Sequence, residues 1–208
     1  MLPITKKRIR NHFHYFWWQY ALLAVFAILG WNLLYTTTHY RSPEHLRVEW
    51  YYEGYMANET MTAVNAVLEE AKEKLFPEME EVSFSNVGND ETYGDMQLLV
   101  WTAAGQGDLF MLTDERFRNL AASGGMLDLK PYVEDGTLNV EGIDLSKGYV
   151  TDVETGERIL CGIPTDSLPG FWNTCYVDHN KKYMGVLVTG ANVEETIQLL
   201  AHFLNTMR

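Results

Sequence analysis

The 208 residues carry 16 basic and 28 acidic side chains, a formal charge of −12. That balance argues against a nucleic-acid binder, which needs a basic face, and against close adhesion to anionic lipid. The charge is unevenly placed. Lys6, Lys7, Arg8 and Arg10 precede any Asp or Glu, and setting those four aside leaves 12 bases against 28 acids, about −16, beyond Tyr40.

Residues 16–35 contain no charge, and roughly 20 such residues are needed for a helix to cross a bilayer. Trp17, Trp18 and Tyr20 mark one end and Trp31 and Tyr35 the other, as expected of rings that prefer the headgroup level. Basic residues beside a span stay on the cytoplasmic side, so residues 1–15 read as a cytoplasmic tail. A cleaved signal peptide is the rival reading, but no small-x-small site follows Leu34 and no Cys for lipid attachment follows the apolar run. The expectation is a single-pass anchor in the lipid bilayer at 16–35, a stalk at 36–45, and an extracellular or periplasmic domain at 46–208. Cys161 and Cys175 would then face an oxidising space, where a disulfide closing a loop of about 15 residues contributes about 3 kcal/mol. Two buried thiols remain the alternative.

In the outer domain, Leu46–Tyr52 alternates and is rich in β-formers, which predicts a strand. Met61, Val64, Val67, Leu68, Ala71 and Leu75 fall on one face of a predicted helix over 59–76, stopped by Pro77. A second strand (81–86) leads through a polar loop (88–94) to a helix (95–104) that ends at Gly105. A buried strand (108–112) precedes a helix (114–122) with Thr113 as its cap and Gly124 beyond its end. The stretch 130–157 is turn-rich and acidic. Strands are predicted at 158–163, 170–177 and 185–188, then a helix over 193–207 with Asn192 and Glu195 as a capping pair. Strands alternating with helices give an α/β domain with a mostly parallel sheet flanked by helices.

No nucleophile–base pair, metal spacing or dinucleotide fingerprint is present, so the reading is not an enzyme, with no catalytic residues, metal or cofactor. Asn89, Asp90, Glu91 and Asp95 gather oxygen ligands without the spacing of a calcium loop, which favours a solvated acidic loop. Aromatic residues are more informative: Trp50, Tyr51, Tyr52 and Tyr55 lie on or beyond the first strand, and Phe171 and Trp172 on a later one. Ligands of open α/β sheets bind beyond the carboxyl ends of the strands. Glu53 and Tyr55 after the first strand, and Asp114, Glu115 and Arg116 after the third, would meet there. Rings with carboxylates and an Arg suit a small polar solute or sugar. Core packing is the competing role for the rings, and a solvated helix start for Glu115 and Arg116.

The run Trp101–Phe117, followed by Leu120–Tyr132, resembles extracellular solute-binding proteins of ABC transporters, in particular the sugar-binding, maltodextrin-binding-like group. Leu75-Phe76-Pro77, Gly162-Ile163-Pro164, Trp172-Asn173 and Gly185–Leu204 extend the likeness, whereas the family's Pro after Gly107 is absent. The resemblance implies a carbohydrate ligand carried by Glu53, Tyr55, Asp114, Glu115, Arg116 and Trp172, and a link to ABC transport or sensing. Such proteins close two lobes on a ligand through a hinge. Here only Asp178–Gly185 joins the Trp172 segment to the return strand, so the expectation is one periplasmic-binding-protein-like lobe. A single face implies weak or partner-assisted binding, or a lobe that docks on a transporter, a sensor or itself.

Overall fold

The computed structural model describes residues 6–38, 40, 42–88, 90–151 and 156–208, with backbone only for 7–9, 91 and 92. Residues 1–5 of the basic tail, His39 and Arg41 of the stalk region and Asn89 of the acidic loop lie outside them, as do the side chains of Lys7 and Arg8. The chain divides into two units, Met1–Arg41 and Ser42–Arg208.

The first unit is one helix, α1 (Lys6–Thr38), about 50 Å long at the usual rise per residue. Its Arg10–Thr38 stretch is long and apolar enough to cross a membrane. The helix continues past the expected end of the span because Thr36, Thr37 and Thr38 donate their hydroxyls to carbonyls of Asn32, Leu33 and Leu34 at 2.7–3.1 Å. That internal bonding satisfies three hydroxyls within the helix itself.

The second unit is an α/β layer structure. Its elements are β1 (Arg47–Glu53), α2 (Asn58–Leu75), β2 (Glu81–Val87), α3 (Glu91–Ala103), β3 (Leu109–Thr113), α4 (Asp114–Ala122), α5 (Lys130–Glu134), β4 (Tyr149–Thr151), β5 (Arg158–Leu160), β6 (Ile163–Pro164), α6 (Gly170–Cys175), β7 (Lys182–Val186) and α7 (Val193–Thr206). The sheet runs β2-β1-β3-β7-β6, and β4-β5 is a separate antiparallel pair. β1 is parallel to both β2 and β3, β7 returns antiparallel to β3, and β6 is antiparallel to β7. Four of the five strands therefore share one direction.

Strand alternation sorts the core into two faces. Trp50, Tyr52, Leu109, Met111 and Met184 point to the side covered by α2, α6 and α7. Tyr51, Phe110, Leu112 and Tyr183 point to the side covered by α3, α4 and the β4-β5 pair. Trp50 is fully buried, its ring centre 4.6 Å from Phe84 and 4.9 Å from Phe203. Cys161 packs with the second cluster and Cys175 with the first, so no disulfide joins them. Burial pushes the Cys175 thiol up to about 11.

Several sequence expectations are corrected, among them the helix predicted at 95–104, which starts at Glu91 within the predicted polar loop. Residues 170–177 form α6 and its cap instead of a strand: Phe171 and Cys175 are buried, a spacing of four that suits a helix, and Pro169 starts it. The strand predicted at 158–163 breaks into β5 and β6 at Cys161-Gly162, where a Cβ on Gly162 would strike the Phe117 ring. The return strand begins at Lys182, three residues earlier than its apolar run. Neither predicted cap acts as one: Thr113 gives its hydroxyl to Glu53, and Asn192 Nδ2 donates to Glu44 O at 2.7 Å and Arg47 O at 2.6 Å.

Asn192 thereby ties α7 to the segment entering β1. Beside it, Asp108 Oδ2 accepts from the backbone N–H of Glu49 at 2.8 Å, while Glu49 Oε2 accepts from Gly107 N at 3.0 Å and Tyr51 Oη at 3.2 Å. Arg47 Nε lies 3.3 Å from Glu49 Oε1. Burial pushes the Asp108 carboxyl up to about 6 from its ordinary 3.8. A raised carboxyl favours its neutral form in the folded state. Its contribution is complete below pH 3.8 and is lost as pH rises through about 6. Asp108→Asn should hold that contribution at all pH values. Denaturant titrations of variant and parent should coincide near pH 4 and diverge by about 2–3 kcal/mol in the variant's favour by pH 8; a constant difference would contradict this account.

Candidate functional site

The carboxyl ends of β1, β2 and β3 define one edge of the sheet, and α2, α3 and α4 start there. On the α3–α4 side this edge is closed by a buried ion network. Arg116 is 7% exposed; its Nη1 lies 3.0 Å from Glu53 Oε1 and donates to Gly88 O at 2.8 Å. Its Nε donates to Asp95 Oδ1 at 2.7 Å and its Nη2 to Asp90 O at 3.0 Å. Glu53 Oε2 accepts from both the N–H and the hydroxyl of Thr113 at 2.8 Å. One guanidinium thus holds the ends of β1 and β2, the start of α3 and, through Glu53, the end of β3. This arrangement also accounts for the acidic loop: Asp95 and the Asp90 carbonyl face an internal cation, and no group of three or more metal-ligating side chains occurs among the described residues.

Glu53 and Arg116 are therefore brought together, but facing each other. Asp114 is exposed and both its oxygens accept from Arg118 Nε at 3.0 Å, which holds its carboxyl below the usual range. Glu115 is exposed beside it. Tyr51 and Tyr52, two rings of the first strand, are in the core, whereas Tyr55 in the β1–α2 turn is 82% exposed.

The other side of the edge is built by α6 and the loop that follows. Tyr52 Oη donates to Asp178 O at 3.3 Å, and Gly170 N donates to Met207 O at the end of α7. Those two bonds place α6 at the carboxyl edge, on the α2–α7 face. Trp172 on α6 and Tyr176 at its cap are each 55% exposed. Tyr176 has φ 56°, a left-handed conformation that usually falls to Gly or Asn at a helix end. Sequence reasoning missed Tyr176, because a left-handed cap is invisible without knowing where the helix stops.

A second exposed apolar feature lies elsewhere. Tyr93, Met96, Leu99 and Val100 form a stripe on α3, each at least 60% exposed. Between α3 and α4 runs a groove of about 370 Å³ lined by Leu98, Leu99, Thr102, Leu120 and the edge of the Arg116 network.

An α/β lobe with one exposed aromatic edge is the class this geometry defines. No family description and no curated protein matches the chain. Solved structures similar to part of it are extracellular solute-binding proteins of ABC transporters. A family 1 solute-binding protein from Alicyclobacillus acidocaldarius is 22% identical with a TM-score of 0.42, over 57% of this chain and 28% of that one. A substrate-binding protein from Listeria monocytogenes in complex with cycloalternan is 19% identical with a TM-score of 0.39, over 56% and 28%. An N-glycan transport solute-binding protein from Streptococcus pneumoniae in complex with Man5GlcNAc is 18% identical with a TM-score of 0.41, over 57% and 24%. The chain spans about a quarter of the length of these proteins.

Removing the guanidinium would leave Glu53 buried and unpaired, a loss of about 3–5 kcal/mol for a desolvated ion pair. Arg116→Met should lower the denaturation midpoint accordingly. Exposed Glu115→Gln should leave it within about 0.5 kcal/mol. Equal midpoints for Arg116→Met and the parent would show that the network is not what holds the edge.

Proposed function

We propose that this chain is a membrane-anchored, extracytoplasmic solute-binding-like module that takes a carbohydrate at the carboxyl edge of its sheet. The reading is carried by one observation: Tyr55, Trp172 and Tyr176, all substantially exposed, stand at that edge from two different elements. Sugar rings offer flat C–H faces that stack on aromatic side chains, and hydroxyls that bond to carboxylates such as Glu115 and Asp114. In this role Glu53 and Arg116 act as positioning residues behind the edge, and α1 tethers the domain at the membrane with its basic end cytoplasmic. Small-molecule sites normally bury 70–90% of their ligand. One face covers less, so affinity is set near millimolar, about −4 kcal/mol, unless a transporter or sensor component supplies the opposing surface.

The α3 stripe favours a second reading, in which the lobe is an interaction module for a transporter, a sensor or another copy of itself. Four exposed apolar residues on one helix beside a groove are the usual mark of a protein contact.

The two readings separate in one set of measurements on the full chain in a detergent without a sugar headgroup. Titration calorimetry with neutral mono- and oligosaccharides should give saturable heat that Trp172→Ala and Tyr55→Ala each reduce at least fivefold in affinity, with Leu99→Glu unchanged. Heat absent for every sugar, together with a dimer that Leu99→Glu dissociates in light scattering, would replace the first reading with the second.

A further inference from the structure

The loop between α6 and β7 and the first residue of β7 carry two polar groups whose bonding is incomplete. Lys182 opens β7 and is 6% exposed. Its Nζ lies 3.7 Å from Asp178 Oδ2 and 5.5 Å from the centre of the Tyr52 ring, and makes no hydrogen bond among the described residues. An ammonium with three donors thus faces one long ion pair and a π-face. Three residues earlier, His179 is 9% exposed and its Nδ1 is sealed from solvent without a hydrogen-bond partner among the described residues.

The backbone around these groups is firmly held. Thr165 Oγ1 donates to His179 O at 2.5 Å and to Lys182 O at 3.0 Å, and Lys181 N donates to Asp166 Oδ1 at 2.8 Å. Tyr176 and Lys181 are the non-glycine residues with positive φ among those described, at 56° and 53°. Strain of this kind persists where the surroundings over-determine it, and it gathers at ligand sites.

Asp178 does not complete the pairing. Its Oδ1 accepts from Asn180 N at 3.1 Å and Asn180 Nδ2 at 3.0 Å, and its side chain is 53% exposed. The neighbouring carboxylates at the edge are already used, Glu53 by Arg116 and Asp114 by Arg118. Lys181, exposed in the same turn, adds a second positive charge. Desolvating an ammonium costs free energy that an apolar side chain of equal length would avoid. A neutral hydroxyl compensates that charge poorly; an anion does so well.

We infer that the ligand taken at this edge carries an anionic group, a carboxylate of the uronic-acid kind, and that Lys182 Nζ is its counter-charge. The inference rests on the carbohydrate reading above and adds the chemical class of the sugar. Thr165, bonded to the carbonyls of both His179 and Lys182, holds the turn in place, while Trp172 and Tyr176 supply the stacking surface.

D-glucuronate and D-glucose differ only in bearing a carboxylate or a hydroxymethyl at C6, which makes them the probes. Calorimetry on the full chain should show glucuronate binding at least tenfold more tightly than glucose. Lys182→Met, which keeps the length packed against Tyr52, should remove that preference so that the two sugars bind alike; Lys182→Gln should do the same. Equal affinity of the parent chain for the two sugars would overturn the inference without any variant. So would a preference that survives in Lys182→Met or Lys182→Gln, or a loss of both affinities in parallel at an unchanged melting temperature. Glucose binding without discrimination leaves the carbohydrate reading standing, whereas absence of heat from any sugar removes both.

Discussion

The Arg116 side chain fixes the geometry on which the candidate site depends. Parallel strands leave their carboxyl ends as a row of loops, and something must hold those loops in register before any residue on them can act as a site. Here a single guanidinium bonds to Glu53 after β1, to Gly88 after β2, and to Asp90 and Asp95 at the start of α3, while Glu53 holds Thr113 at the end of β3. The pairing is desolvated on both sides, with Arg116 and Glu53 side chains 8% and 10% exposed. A buried pair of this kind contributes modestly as a whole but punishes the loss of either member. Its value lies in specifying one arrangement of three strand ends.

That network also divides the edge into two halves with different chemistry. The half over α3 and α4 pairs Glu53, Asp95 and Asp114 internally and leaves Glu115 exposed. The half over α2, α6 and α7 exposes rings and holds Lys182 short of acceptors. A recognition surface needs polar groups with bonding capacity left over, and these are the exposed Glu115 in the first half and Lys182 in the second. The division follows from strand alternation: Tyr52 and Glu53 are adjacent in sequence and point to opposite faces.

At the opposite edge, a second buried carboxylate arrangement, Asp108 and Glu49 with Arg47 and Asn192, joins the entry of the chain to the start of α7. Ion-pair and amide bonds thus close both ends of the sheet, and the apolar layers between them supply the bulk of the stabilisation. The apolar stripe on α3 stands outside this scheme: Leu98 packs inward, whereas Met96, Leu99 and Val100 face outward.

Much of the fold was legible in the sequence, because periodicity is a local property. The apolar face of α2, the strands β1 to β3, the apolar run of α1 and the extent of α7 all follow from residue spacing and terminators. The glycines and prolines at helix ends were equally readable. What misled was also local: Phe171 and Trp172 are β-formers, yet the segment is a helix because Pro169 starts a turn and Phe171 and Cys175 both reach the same core. Lys182 looked like a loop residue because a charged side chain seldom opens a buried strand. The role of Arg116, whose partners lie between 21 and 63 positions away, and the left-handed exposure of Tyr176 came only with the tertiary structure. Composition and spacing determined that this chain has an apolar helix and an acidic α/β domain. Which charges are spent, and which stay available at an edge, depends on distances between residues far apart in the chain, and only folding decides those.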